Sequence, residues 1–269
     1  MKQKYSRLTI KNNFLFTKVM SDPVLMRQLL QRVLPERSIG DLQVNIEEKT
    51  VEGHPERRGI RLDVYCKDET TEYDIEMQGL KKGLPPERAR YYQSTLDSDS
   101  LNKREDFKKL KDQILIFFCL YDPHGGNVMV YRFYNYCPEV KKSLDDRTIK
   151  YYINCTADDV GEYKELKPFV DYINGIMSED PFVLQVDAAV QKAKRNSKWR
   201  KEFMTMQEEI QYHSSIALEQ GREEGRILER ERTVGLLMKD GKTFAEACRF
   251  LCLSADEIQE LQEEMTKPA

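Results

Sequence analysis

Asp63 and Glu76 are the residues whose types and spacing could do chemistry in this chain. They lie in RLDVYCKDETTEYDIEMQ, residues 61–78, which reads as two short strands joined by a turn. Ile60, Leu62, Val64 and Cys66 alternate with Arg61, Asp63 and Tyr65. After the turn, Tyr73, Ile75 and Met77 alternate with Glu72, Asp74, Glu76 and Gln78. Successive side chains on a strand point to opposite faces, so each strand carries one apolar and one polar row. A turn centred between Glu69 and Thr70 sets Asp63 opposite Glu76 and Arg61 opposite Gln78. Directly opposed residues have Cβ atoms about 5 Å apart. Two carboxylates that close repel unless a cation lies between them, and a hard divalent ion held by oxygens is the natural occupant. No Asn-Gly or Gly pair marks a two-residue turn, so a looser loop from Asp68 to Thr71 is expected. The plainer reading of the same alternation is a strand pair with one solvated polar face.

Other segments must position this hairpin. Asp22 and Pro23 are a good N-cap and first helical residue for a helix striped by Leu25, Leu29, Leu30 and Val33, ended by Pro35. Residues 41–52 alternate in part and read as a first strand. Glu47 or Glu48 on it could add a third acidic ligand, although a solvated strand end explains them as well. His54 reads as a loop residue. After the hairpin, GLKKGLPP breaks the chain, and ERARYYQSTLDSDSLNKREDFKKL forms one or two helices. Arg88 and Tyr92, four apart, share a helix face. With Arg90 and Arg61 they are candidates for contact with a phosphate backbone; the alternative is a solvent-facing helix with its tyrosines packed on the sheet. QILIFFCLY (113–121) is apolar enough for a central strand covered on both faces. DPHGGN is a turn, which accounts for Asp122 and His124. Strands at 128–136 and 148–154 follow.

From about residue 162 the pattern is helical. Lys192, Lys194, Arg195, Lys198, Arg200 and Lys201 read as a solvated charged face. Gly221 and Gly225 interrupt a charged helical tract, as a close-packing device or a weak linker. Capping boxes at Thr243/Glu246 and Ser254/Glu257 begin two short helices. The second is acidic, which favours packing or self-association over reading DNA.

Composition bounds the rest. The chain has 269 residues, a net charge of −3, 40% hydrophobic and 33% charged residues. This is one ordinary domain plus an appendage, and wholesale electrostatic capture of nucleic acid is not expected. No apolar run spans a bilayer and no secretory signal opens the chain. Six cysteines without CxxC fit reduced thiols in a cytoplasmic protein.

Helix, three strands, helix, strand, with a carboxylate on the second strand and E-x-Q on the third, resembles the PD-(D/E)xK nuclease superfamily. The chain is more closely similar to the Rpn-type recombination-promoting nucleases and transposases. FLFTKVMSDP (14–23), residues 61–78, RARYYQS (88–94), LKDQILIFFCLYDP (110–123) and EQGREEG (219–225) carry the likeness. It implies an α/β, restriction-endonuclease-like αβββαβ core with a central mixed sheet, followed by a helical C-terminal region. The expected divisions are a nuclease-like domain at 1–160, a helical extension at 161–218 and a charged helical tail at 219–269. It also implies that Asp63 and Glu76 bind Mg²⁺ or Mn²⁺, with the Met77 backbone carbonyl as a further ligand. Gln78 stands where the superfamily has lysine, and can orient water or phosphate but carries no charge. The family often has an acid just before the Phe at position 14; here that residue is Asn13. The expected function is metal-dependent DNA endonuclease. The alternative is a catalytically silent nuclease-fold module that self-associates through its C-terminal helices.

Overall fold

The structure, a computed structural model, describes residues 4–45, 49–51, 59–80 and 84–265. Glu47, Glu48 and His54 lie outside them. Two helices open the chain, α1 (Asn13–Met20) and α2 (Pro23–Val33). Asn12 caps the first, its side chain accepting from Leu15 N–H. Asp22 caps the second, accepting from Val24 and Leu25 N–H with Pro23 in the first turn, as the sequence predicts. Then come β1 (Gln43–Val44), β2 (Lys49–Val51), β3 (Ile60–Leu62), β4 (Val64–Lys67), β5 (Thr71–Gln78), α3 (Pro86–Ser100) and β6 (Asp112–Cys119). They are followed by β7 (Val130–Phe133), β8 (Tyr136–Cys137), β9 (Lys142–Ser143) and β10 (Thr148–Asn154). The helices α4 (Lys167–Ile173), α5 (Pro181–Arg195), α6 (Ser197–Lys239), α7 (Phe244–Phe250) and α8 (Ala255–Met265) complete the chain.

Six strands form one mixed sheet in the order β1-β4-β5-β6-β10-β7. β5, β6 and β10 run parallel; β1, β4 and β7 join antiparallel. β6 is the central strand the apolar run requires, and Gln113 to Cys119 are all buried. On one face Phe118 meets Phe16 of α1 at 6.3 Å and Phe169 of α4 at 5.7 Å between ring centres. Phe169 in turn meets Phe182 of α5 at 5.5 Å. Burying each such ring contributes about 2–3 kcal/mol.

The other face is not solvated. Tyr65, Leu115, Phe117, Cys119 and Tyr152 cluster there with Ala89, Tyr92 and Leu96 of α3. All eight residues of β5 are consequently buried, Glu72, Asp74, Glu76 and Gln78 included. The polar row of β5 therefore lies under a helix.

The hairpin register agrees with expectation in one half and departs from it in the other. Val64 pairs Ile75, Tyr65 pairs Asp74 and Lys67 pairs Glu72, which continues to Asp63 opposite Glu76. The turn is held by Asp68, whose Oδ1 accepts from Thr70 and Thr71 N–H at 2.9 and 2.8 Å. At Asp63, however, the backbone bends and the strand is cut in two. Ile60 and Leu62 pack with the α3-side cluster, whereas Val64 and Cys66 pair with Ile75 and Tyr73 of the opposite row. A one-residue irregularity exchanges the faces of a strand. Arg61 accordingly pairs Thr50 of β2, not Gln78. The strand expected at 128–136 ends at Phe133; β8 then pairs β9 as a separate hairpin.

Residues 1–203 and 204–269 fall into two compact units. In the second, Val234, Ala247, Cys248 and Leu261 form a small core joined by Leu237, Phe244, Leu251 and Ile258. Both capping boxes are present there. α6 runs unbroken through Gly221 and Gly225, and an added Cβ at either meets nothing within 4 Å. Among the described residues, neither glycine therefore serves a close approach. Among the described residues, no helix is long and apolar enough to cross a membrane.

Candidate active site

The bend at Asp63 takes its backbone out of the strand ladder and makes it a candidate site residue. Its backbone N–H, freed from the ladder, donates to Glu76 Oε1 at 3.0 Å. Its carboxylate Oδ2 accepts from Met77 N–H at 3.1 Å. Asp63 and Glu76 are thus each tied to the other's strand, 8% and 1% exposed. Asn13, the first residue of α1, donates from Nδ2 to Asp63 Oδ2 at 2.9 Å. The position just before Phe14 is therefore in direct contact with the hairpin carboxylate.

Gln78 shares the Glu76 face, two residues on. Its Nε2 donates to Glu76 Oε2 at 3.1 Å. From α3, Arg88 reaches the same group: Nη2 donates to Glu76 Oε2 at 3.2 Å and Nη1 to Gln78 Oε1 at 3.4 Å. The guanidinium also donates to the Tyr92 hydroxyl, from Nη2 at 2.8 Å and Nε at 3.0 Å, and lies 4.9 Å from that ring's centre. Burial works against the Arg88 charge, but Tyr92 and Glu76 outweigh it and hold its pKa above the usual value. The helical spacing of four thus does what it implies, but both side chains turn inward to the carboxylates. Arg90 and Tyr91 point outward. With Arg61, Arg88 and Tyr92 they line a groove of about 880 Å³ beside the site.

Asp74 is the residue the sequence reading passed over. It shares the row of Glu76 and Gln78, is 1% exposed, and neither carboxyl oxygen has a hydrogen-bond partner among the described residues. Burial first, then the charges of Glu76 and Asp63, push its pKa well above the ordinary value, while Arg88 opposes them. The signal was present in the D-I-E spacing, which puts Asp74 and Glu76 on one face. What the spacing could not convey is that α3 seals that face. Asp122, by contrast, is accounted for by its turn. It accepts from the N–H groups of His124, Gly125 and Asn127 and from the Tyr131 hydroxyl. Slight burial raises its pKa, but these bonds outweigh it and bring the value down to about 2.

Among the described residues, no three His, Cys, Asp or Glu side chains converge as a closed set of metal ligands. What converges is a carboxylate pair bridged by backbone amides, with two side-chain amides and one guanidinium around it. A family model described as PD-(D/E)XK nuclease family transposase matches residues 11–154, more than half of the chain. The chain belongs to this family. The match takes in Asn13, Asp63, Glu76, Gln78 and Arg88, and it ends on the last residue of β10. This family member has the architecture the resemblance implied: a mixed six-stranded sheet with helices, then a long helical C-terminal region. No curated protein and no solved structure matches the chain.

Proposed function

We propose that this family member is a metal-dependent DNA endonuclease acting at Asp63, Glu76 and Gln78. The observation that carries the reading is the Asp63–Glu76 pair, two buried carboxylates at the bend and on β5, with Glu76 accepting from Asp63 N–H and Asp63 accepting from Met77 N–H. The donors fit a hard divalent ion. Carboxylate and carbonyl oxygens suit Mg²⁺ and Mn²⁺, and the Asp74 carboxyl, without a hydrogen-bond partner among the described residues, lies beside them as a further oxygen donor. In an extended strand a residue's N–H and C=O leave on the same side. Met77 N–H faces Asp63, so the Met77 carbonyl is directed to the same edge and is the third ligand of this reading. Mg²⁺ or Mn²⁺ held there supplies a lowered pKa for coordinated water and compensation of charge at the phosphate.

The chain's own residues do the positioning. Asn13 Nδ2 and Met77 N–H orient the Asp63 carboxylate, and Gln78 Nε2 orients that of Glu76. Arg61 and Arg90, at the groove beside them, contact the flanking phosphates. In the reaction the water oxygen bonds to phosphorus and the phosphorus–oxygen bond to one strand end breaks. The water gives up a proton and the leaving oxygen takes one up.

A second reading has its own observation. Asn13, Gln78 and Arg88 already hydrogen-bond the two carboxylates, as they would in a catalytically silent module that self-associates through its C-terminal helices. One experiment separates the two. Mn²⁺ and Mg²⁺ are titrated calorimetrically into wild type and Asp63→Ala, with and without a short DNA duplex, and plasmid cleavage is followed in parallel. The nuclease reading expects ion binding and nicking in the wild type, with binding lost in Asp63→Ala and cleavage down by about a thousandfold or more. Equal cleavage by Asp63→Ala overturns the site. Absence of ion uptake by the wild type under both conditions favours the silent module.

A further inference from the structure

We propose that Arg88 is the catalytic cation of this site, contacting the scissile phosphate, and that Gln78 is the amide that aims it. The inference rests on the nuclease reading above. Phosphodiester hydrolysis builds negative charge on the phosphate oxygens, and a preorganised cation there lowers the barrier. A lysine at position 78 would bring that cation along the strand. Gln78 cannot, but an amide offers both a donor and an acceptor, and this one uses each. Its nitrogen donates to Glu76 Oε2, and its oxygen accepts from Arg88 Nη1. Lysine at 78 would repel Arg88, and a carboxylate there would repel Glu76. Glutamine is compatible with both neighbours at once, so E-x-Q on β5 and Arg88 on α3 form a matched set.

Three features place Arg88 for this task. Its guanidinium is braced by the Tyr92 hydroxyl and ring, so little of its freedom remains to be lost on binding phosphate. Its side chain is 30% exposed while that of Glu76 is 1% exposed, so it stands between the carboxylates and the outside. It also lines the groove that Arg61 and Arg90 share. In this proposal Arg88 exchanges its Glu76 contact for phosphate oxygens when DNA binds. Arg90 and Arg61, by contrast, serve backbone contact.

The test uses the full chain as wild type, Arg88→Ala, Arg88→Lys, Gln78→Lys and the double variant Gln78→Lys/Arg88→Ala. Mn²⁺ binding without DNA is measured by calorimetry, plasmid cleavage by gel, and folding by thermal melts. Arg88→Ala is expected to bind Mn²⁺ more tightly, on the order of tenfold, because a competing charge beside Glu76 is gone. Its cleavage is expected to fall by about a hundredfold or more. The double variant is expected to recover cleavage relative to Arg88→Ala, since the lysine restores a cation on the strand. Should Arg88→Ala fail to fold, Arg88→Lys carries the test: Mn²⁺ binding retained, and cleavage reduced about tenfold by loss of the planar fork. Wild-type cleavage by a folded Arg88 variant overturns the proposal. So does joint loss of Mn²⁺ binding and cleavage in a folded Arg88→Ala protein, which would make Arg88 a brace for Glu76. A wild type that neither binds Mn²⁺ nor cleaves overturns the nuclease reading and this inference with it. A wild type that does both, matched by Arg88→Ala, overturns the inference alone.

Discussion

At the scale of single residues, the site is a balance of carboxyls against one guanidinium. Asp74 is the costly member: a fully buried carboxyl with no hydrogen bond among the described residues, facing Glu76 and Asp63. Burying a charge without partners costs several kcal/mol unless something neutralises it. Asp74→Asn keeps the shape and removes the ionisable group. The expected outcome is a protein more stable by about 1–2 kcal/mol at neutral pH in denaturant melts, with weaker Mn²⁺ binding by calorimetry. Stability and ion affinity moving in opposite directions is the mark of a residue kept for function. Asn13 is the counterpart: a neutral amide on Asp63 Oδ2, where an acid would add a further negative charge.

At the scale of elements, the hairpin β4–β5 carries the pair and its turn fixes the register. Burial pushes the Asp68 carboxyl up, but hydrogen bonds from Thr70 N–H, the Tyr73 hydroxyl and Thr71 N–H outweigh it and hold its pKa below the usual value. A depressed carboxyl contributes stability that is complete above the unfolded pKa of about 3.9 and is lost as pH falls through the lower folded value. Asp68→Ala is therefore expected to cost about 1–3 kcal/mol near pH 7. The gap to wild type should narrow in urea melts taken below pH 4; a gap independent of pH would show that the loop does not depend on the ionised form. This turn was legible beforehand because Asp-x-Thr-Thr between alternating strands has a local cause. The break at Asp63 was not, because it follows from β3 leaving the hairpin to pair with β2.

For the whole molecule, a net charge of −3 means that contact with DNA must come from a local basic surface. Arg90 is exposed on α3 and lines the groove beside the carboxylates. Arg90→Glu is expected to weaken duplex binding and to reduce the slope of log affinity against log salt by about one, with the melting temperature unchanged. Anisotropy titrations at several salt concentrations measure this. An unaltered slope would remove Arg90 from the interface. The second unit, 204–269, has its own small core and caps, and Arg230 pairs with Glu257 within it.

By itself the sequence determined what short-range physics governs. Period-two alternation and the turn residues set the hairpin and brought Asp63 opposite Glu76. The apolar run made β6 a central strand, and Asp22, Thr243 and Ser254 began helices where capping chemistry requires. Only the tertiary structure decided what those residues face. α3 lies over the polar row of β5, so a face that alternation alone would leave in water becomes a buried cluster in which Asp74 has no hydrogen-bond partner among the described residues. Asn13 arrives from 50 residues upstream and Arg88 from the following helix. The reason is physical: periodicity records which side of an element a residue occupies. What covers that side depends on packing between elements distant in the chain, and on a single backbone bend that exchanges the faces of a strand.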